Sequence, residues 1–325
     1  MPENNLVSIE KSIDLLKSGE VVAIPTETVY GLAARIDDET AINKIFSTKK
    51  RPFFDPLIVH ISDIEQAKSL TTFWTQDIEK LAERFWPGPL TLVLPKQSTV
   101  LDTITSGLKT VGIRYPSHPV AQKIIAGLGV PLAAPSANMF GRTSPTHFQH
   151  VIDEFNNEVA VVEGGESEVG IESTVLEAQI DPGTNEIIKW AILRPGVVGR
   201  KEISEVLGKS IDEVVYKSSL ASPGNVKVHY QPEKPLITML GSHSEEQVMS
   251  AIEGSEFNAS EVSIVEINVD ALELARRLYS LMREASKGDH RCTCLVIKKY
   301  VEDDMWRPIK DRLTRASQDI YFSPI

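Results

Sequence analysis

Cysteine is scarce in this chain, which holds only Cys292 and Cys294 among its 325 residues, one threonine apart. Two thiols so close along a strand share a sheet face and bridge poorly, and one Cys-x-Cys without a second pair is weak ground for a metal site. A disulfide-stapled fold is excluded, and a reducing compartment fits. Long apolar runs are missing as well, since none approaches the about 20 residues that span a bilayer. The opening Met1-Pro2-Glu3-Asn4-Asn5 lacks the charged-then-apolar pattern of a signal peptide. The expectation is a soluble cytoplasmic protein with no membrane partner. Positive charge is in deficit: 34 Lys and Arg against 45 Asp and Glu give a formal net charge of −11. That disfavours a surface holding nucleic acid throughout, yet permits a local basic cavity. Common enzyme signatures are absent, whether Gly-x-x-x-x-Gly-Lys-[Ser/Thr], Gly-x-Gly-x-x-Gly, His-Glu-x-x-His or Gly-x-Ser-x-Gly. A bound nucleotide would need a cleft of another design.

What is present is a long alternation of strand and helix patterns. The length predicts two domains of about 150 residues each, enough to bury roughly three quarters of the unfolded surface without a staple. Helices are expected at 8–18, 39–48, 75–86, 117–128 and 146–155, with Ser62 and Glu65 as a capping box for one more. Apolar runs predict strands near 21–24, 57–61, 90–94, 110–114, 131–134, 159–163, 173–178 and 187–193. Several neighbouring strands interleaved with helices point to a mixed α/β sheet. Between 201 and 234 the pattern weakens, and Ala221-Ser222-Pro223-Gly224-Asn225 reads as a linker. From Leu236 onward strands and helices alternate, the clearest helix carrying Leu272, Ala275, Leu278, Tyr279 and Met282, which makes a small Rossmann-like unit. The expected boundaries are therefore 1–205, a linker or lid at 206–234, and 235–325.

The stretch that organises the chemistry runs from Pro25 to His60. The apolar strand at 21–24 empties into Pro25-Thr26-Glu27-Thr28-Val29-Tyr30-Gly31, whose hydroxyls and phenol suit a pocket for a small polar ligand. Lys49-Lys50-Arg51-Pro52 then closes a helix, a basic cluster that fits either a helix C-terminus or a phosphate. His60 inside an apolar strand is, taken alone, more often a satisfied core histidine. Lys49, Arg51, Arg114 and Arg194 all fall at predicted element ends, where side chains can converge, and four cations would balance a triphosphate. Thr110, Ser136, Asn138 and Ser144 offer hydroxyl and amide groups for phosphate or ribose oxygens, and Gly141 would let the backbone approach closely.

These segments carry a resemblance. Pro-Thr-Glu-Thr-Val-Tyr-Gly-Leu, Lys-x-Arg-Pro, Pro-Leu-Ile-Val-His, Ser136-Ala137-Asn138, Ser144-Pro145-Thr146, Glu172-Ser173-Thr174-Val175 and Leu193-Arg194-Pro195-Gly196 are similar to the YrdC-like family, over about residues 8–200. The chain beyond them is like the two-domain type of that family. The resemblance implies a twisted mixed sheet with an open cleft, followed by the small C-terminal α/β domain. It implies synthesis of threonylcarbamoyl-AMP and pyrophosphate from L-threonine, ATP and bicarbonate or carbon dioxide, with Mg²⁺ carried by the ATP phosphates. By position, Thr28, Tyr30, His60, Arg114, Ala134 and Ser173 correspond to the threonine pocket, Arg114 facing the substrate carboxylate. Lys49, Arg51, Asp55, Thr110, Ser136, Asn138, Ser144 and Arg194 correspond to the nucleotide side, and Lys49, Arg51 and Arg194 to the groups that act on the phosphates. His229 and Tyr230 match the lid motif His-Tyr-x-Pro. The implied partners are the small substrates and a downstream threonylcarbamoyl transferase, with tRNA met only indirectly.

Departures from the family pattern are informative. Asp55 stands where Asn is common, Lys50 replaces a common Gly, Gly31-Leu32-Ala33-Ala34 replaces Gly-Leu-Gly, and Asn225 stands where Met is usual. A carboxylate beside a triphosphate is unfavourable unless it faces Mg²⁺ or a cation. The rival from a different class is an RNA-binding module with a cationic concave surface. The acidic total and few clustered aromatics weigh against it.

Overall fold

The computed structural model describes residues 5–181, 183–217 and 229–322. The chain divides into two units, one of residues 1–140 with 145–225 and the other of residues 141–144 with 226–325. The mixed sheet and the small α/β unit expected from the sequence are both present.

The first unit is built on ten strands: β1 (Val22–Ile24), β2 (Gly31–Arg35), β3 (Ile58–His60), β4 (Leu90–Pro95), β5 (Thr110–Arg114), β6 (Leu132–Ala133), β7 (Ala160–Val161), β8 (Thr174–Ile180), β9 (Ile187–Arg194) and β10 (Val214–Tyr216). Their order across the sheet is β10-β9-β8-β4-β5-β3-β6-β2-β1-β7. Continuous apolar runs such as Leu90–Leu94 are buried on both faces, which is why they show no alternation. β1 and β2 are antiparallel, so the chain leaves the sheet at Pro25, makes loop 25–30 and returns at Gly31. β3 and β5 are parallel neighbours, and β4 runs antiparallel to β5 but parallel to β8. The main core gathers Ala41, Ile42, Ile45 and Phe46 from helix Glu39–Lys49 against Val59, Leu92 and Ile113 of the central strands.

Local details revise the sequence reading. Helix Ile64–Leu70 is capped by Asp63, whose carboxylate accepts from Gln66 N–H, and not by a Ser62–Glu65 box. A carboxylate at the N-cap is a stronger acceptor than the hydroxyl before it. Within the stretch read as linker, Val214–Tyr216 pairs in parallel with β9 and becomes an edge strand, preceded by helix Arg200–Leu207. Three residues are too few for a period to register. Residues 221–225, including Asn225, lie outside the described residues.

Among the described residues, the second unit holds four parallel strands, β11 (Leu236–Leu240), β12 (Val262–Ile267), β13 (Cys292–Ile297) and β14 (Asp319–Phe322), in the order β12-β13-β11-β14. Cys292 and Cys294 point into one core with Ile237, Met239 and Ile252. Burial pushes their thiols up to about 11 and about 12, leaving them inert at neutral pH. Helix Ala271–Ala285 buries Leu274 with Ala275, Leu278, Tyr279 and Met282, and turns Leu272 outward. Residues 141–144 are built into this unit. Gln231 N–H donates to Gly141 O at 2.8 Å, Thr143 N–H to Gln231 O at 3.1 Å, and Thr143 Oγ1 to Tyr230 O at 3.1 Å. Gly141 has φ +82°, a left-handed backbone conformation that its missing Cβ leaves unstrained. No helix among the described residues is long and apolar enough to cross a membrane.

Candidate functional site

Register brings the key side chains of the first unit to the ends of the central strands. His60 ends β3 and Arg114 ends β5, and the two are direct cross-strand partners. On the strand next to β5, Thr91 of β4 pairs with Val175 of β8, which pairs with Arg194 at the end of β9. Partners in register share a sheet face. Both arginines and His60 are buried.

Loop 25–30 closes over this row. The Thr26 hydroxyl donates to Val29 O at 2.6 Å and accepts from the N–H groups of Thr28 and Val29 at 3.2 Å. Thr28 Oγ1 lies 2.9 Å from it. The loop thereby carries Glu27 inward to Arg114: Oε1 is 2.7 Å from Nη2, and Oε2 accepts from Ser117 N–H at 3.1 Å. Glu27 sits inside the first recognised segment, but nothing in its spacing marks it as the partner of Arg114. Tyr30 is fully buried, and its phenol donates to Gly165 O at 2.8 Å while accepting from Gly164 N–H. Its hydroxyl is thus committed to that turn, and burial pushes its pKa up to about 12. Ala134 lies behind, its N–H on Ile58 O at 3.1 Å.

His60 is held neutral. Burial first, and the Arg114 charge second, push its pKa down to about 3. Nδ1 lies 3.2 Å from Ile58 O, which makes Nδ1–H the donor and leaves Nε2 as an acceptor. A neutral imidazole beside a guanidinium can receive a hydrogen bond from a hydroxyl without adding charge.

The other cluster surrounds the end of helix Glu39–Lys49. Lys49 is buried and points back into loop 136–138, donating to Ser136 O at 2.6 Å and to Asn138 O. Burial and the neighbouring Arg51 hold its pKa well below the usual ammonium value. Phe140 N–H returns a bond to Lys49 O at 2.8 Å, so loop and helix end brace one another. Lys50 caps the helix at φ +51°, the left-handed region where glycine is unstrained, which explains why glycine suits that place. Arg51 turns inward: Nε donates to Asp55 O at 3.1 Å, Nη2 to Pro56 O at 2.8 Å, and Nη2 lies 3.0 Å from Asp55 Oδ2. Asp55 thus faces a cation, the condition that makes a carboxylate tolerable there. Thr110 starts β5 and lines a small crevice with Pro56, Leu57 and Gly112. No group of three or more His, Cys, Asp or Glu side chains able to hold a metal occurs among the described residues.

Ser173 and Arg194 were assigned to opposite sides of the site, yet they touch. Arg194 Nη2 donates to Ser173 Oγ at 3.1 Å and Nε to Ser173 O at 3.1 Å. Ser173 Oγ also lies 2.8 Å from Thr91 Oγ1, a contact hidden in sequence because Thr91 reads as an ordinary strand threonine. Gly196 is obligatory for this corner, since a Cβ there would stand 2.4 Å from Thr174 N and 2.8 Å from Ser173 C. Ser144, His229 and Tyr230 belong with the second unit. There Tyr230 is buried, stacked on Tyr279 at 5.7 Å with the Arg312 guanidinium 5.6 Å from its ring centre, and His229 lies edge-on to it at 4.2 Å.

With this geometry established, comparison with known proteins identifies the class. The family model Sua5_yciO_yrdC, described as Telomere recombination, matches residues 14–196, more than half of the chain. The chain belongs to the YrdC/Sua5 family. A second model, threonylcarbamoyl-AMP synthase, C-terminal domain, matches residues 198–318 and sets the two-domain type. The threonylcarbamoyl-AMP synthase of Pyrococcus abyssi is 36% identical over 325 residues, covering 93% of this chain and 92% of that protein. That of Bacillus subtilis is 42% identical over 241 residues, 72% of this chain and 67% of that protein. The crystal structure of P. abyssi Sua5 complexed with L-threonine superposes with a TM-score of 0.85 at 32% identity, covering 97% of this chain and 96% of the other.

Proposed function

We propose that this protein is a threonylcarbamoyl-AMP synthase serving threonylcarbamoyladenosine modification of tRNA. The observation that carries the reading is its likeness, along nearly the whole of both chains, to the P. abyssi synthase. The threonine named in the related crystal structure supports L-threonine as the amino acid. In this reading the threonine amine adds to carbon dioxide or bicarbonate-derived carbon dioxide. The carbamate oxygen then attacks the α-phosphorus of ATP, and pyrophosphate leaves. No protein nucleophile takes part, so the work of the site is positioning and charge stabilisation.

The residue roles follow the family resemblance, position by position, and the chemistry each group offers. Arg114 takes the α-carboxylate, neutral His60 accepts from the threonine hydroxyl through Nε2, and Ser173 serves the carbamate. Thr28, Tyr30 and Ala134 form the wall of this pocket. Lys49, Arg51 and Arg194 act on the phosphates. Asp55, Thr110, Ser136 and Asn138 complete the nucleotide side. Ser144, His229 and Tyr230 stand in the proposal through the family resemblance alone. Mg²⁺ would be carried by the ATP phosphates and would help to neutralise their charge, while Asp55 faces Arg51. Residues 1–205 are the catalytic domain, 206–234 a linker or lid and 235–325 the C-terminal domain. The product passes to a threonylcarbamoyl transferase in the cytoplasm. An RNA-binding groove is the weaker account, because Lys49, Arg51, Arg114 and Arg194 are all buried and a phosphodiester backbone needs exposed cations.

The test is product analysis by mass, coupled to pyrophosphate release. Release should require L-threonine, bicarbonate and Mg²⁺ together. Equal ATP turnover without threonine overturns the reading.

A further inference from the structure

Arg114 already has a carboxylate, and the manner in which it holds it is unusual. Glu27 Oε1 and Arg114 Nη2 approach to 2.7 Å, both side chains almost wholly buried. Yet neither atom makes an aligned hydrogen bond, and Arg114 Nε reaches only Gly88 O, at 3.4 Å. Glu27 is not free to swing. Ser117 N–H fixes its other oxygen at 3.1 Å, Val169 N–H fixes its backbone carbonyl at 2.7 Å, and the Thr26 turn fixes the loop. The charge of the buried guanidinium is therefore compensated by a group whose oxygens do not satisfy the guanidinium's directional donors.

We infer that Glu27 is a positioning and specificity residue for the amino acid, a resident counter-ion that makes Arg114 select its ligand by hydrogen-bond geometry and not by charge. The inference rests on the reading that Arg114 receives the α-carboxylate. A buried cation without a counter-ion recruits whatever anion can reach it, because an uncompensated buried charge is strongly unfavourable. With Glu27 fixed alongside, that penalty is already relieved, and a small anion gains little by entering. Threonine still gains, because its carboxylate can align with the guanidinium N–H groups, which Glu27 Oε1 does not, while the rest of the molecule anchors it. Specificity of this kind is a difference in affinities, built by weakening the wrong ligand.

Acetate is the probe, since it offers the carboxylate and nothing else. In pyrophosphate-release assays at varied threonine, Glu27→Gln is expected to become competitively inhibited by acetate at least about tenfold more strongly than wild type. Acetate should also raise the melting temperature of Glu27→Gln and leave wild type unmoved. Adding Arg114→Met should abolish both responses, which a purely structural role for Glu27 does not predict. Acetate inhibition equal to wild type in Glu27→Gln overturns the inference. Should that variant give no soluble protein, Glu27→Asp carries the test. With its charge drawn back by one methylene it should show intermediate inhibition, and wild-type inhibition overturns the inference. Failure of the underlying reading looks different. In that case Arg114→Met alone leaves the threonine KM unchanged, whereas a raised KM with unaltered acetate response removes only the role given to Glu27.

Discussion

Each unit buries an arginine deeply, and the two are kept in different company. Arg312 of the second unit lies against the Tyr230 ring at 5.6 Å, with Asp311 Oδ2 3.2 Å from Nη1, in a setting of aromatic packing. Arg114 of the first unit sits at a strand end beside His60, with Glu27 close but misaligned. The contrast extends to their surroundings. Among the described residues, the buried Asp, Glu, Lys, Arg and His side chains of the first unit are Glu27, Lys49, Arg51, Asp55, His60, Arg114, Glu172 and Arg194, whereas those of the second are His229 and Arg312. A fold needs no such concentration, because buried ion pairs contribute little net stability compared with apolar replacements. Where charge is buried in quantity at the ends of strands, chemistry accounts for it better than architecture does.

Replacing each arginine puts that contrast at risk. Arg114→Ala should raise the threonine KM by roughly a hundredfold, as expected for about 3 kcal/mol from a charge-assisted pair of hydrogen bonds. It should also lower stability by about 3–5 kcal/mol, because Glu27 is left buried without its partner. Arg312→Met should destabilise by about 1–3 kcal/mol and leave the threonine KM alone. Pyrophosphate release at varied threonine, beside thermal unfolding, reads both. An Arg312 variant that shifts the threonine KM as far as Arg114→Ala would erase the distinction between the units.

The next effect is one of pH. His60 has its folded pKa pushed down to about 3, below the unfolded value of about 6.5. Between those values the unfolded chain binds a proton that the folded chain refuses, so stability present above about pH 6.5 is lost as the pH falls. The slope is up to about 1.4 kcal/mol per pH unit for one proton. His60→Gln should remove that component, flattening the acid limb measured by denaturant unfolding from pH 7 to pH 5. An identical limb in both proteins would show that His60 is not kept neutral by its surroundings.

Much of this site was legible because cations at element ends break the apolar pattern. Lys49 ends a helix whose inward face, Ala41, Ile42, Ile45 and Phe46, is plain in its spacing, and Arg114 and Arg194 close apolar strands. What escaped depended on partners distant in sequence. Glu27 meets Arg114 only because loop 25–30 folds back across β5, and Thr91 meets Ser173 only through the β4–β8 register. Leu272 was misplaced for a simpler reason: on a helix, Leu272 and Leu274 flank the same stripe, and only packing decides which is covered. β10 gave no signal because three residues define no period.

The smallest expected effect concerns Lys50. Its left-handed backbone costs a non-glycine residue about 1 kcal/mol, so Lys50→Gly should stabilise the first unit by a similar amount. Thermal unfolding checks it, and a loss of stability would mean that the lysine side chain compensates for the strain.

The excursion of residues 141–144 bears on how such a protein can be taken apart. In the C-terminal unit, Gln231 and Tyr230 are tied by hydrogen bonds to Gly141 and Thr143, in a segment that the ribosome delivers almost ninety positions earlier. Cleaving the chain between 217 and 229 would leave the second unit assembled from two polypeptides, with 141–144 on one and 229 onward on the other. Gene truncation at the same point would leave those early residues without the lattice of partners that shapes them.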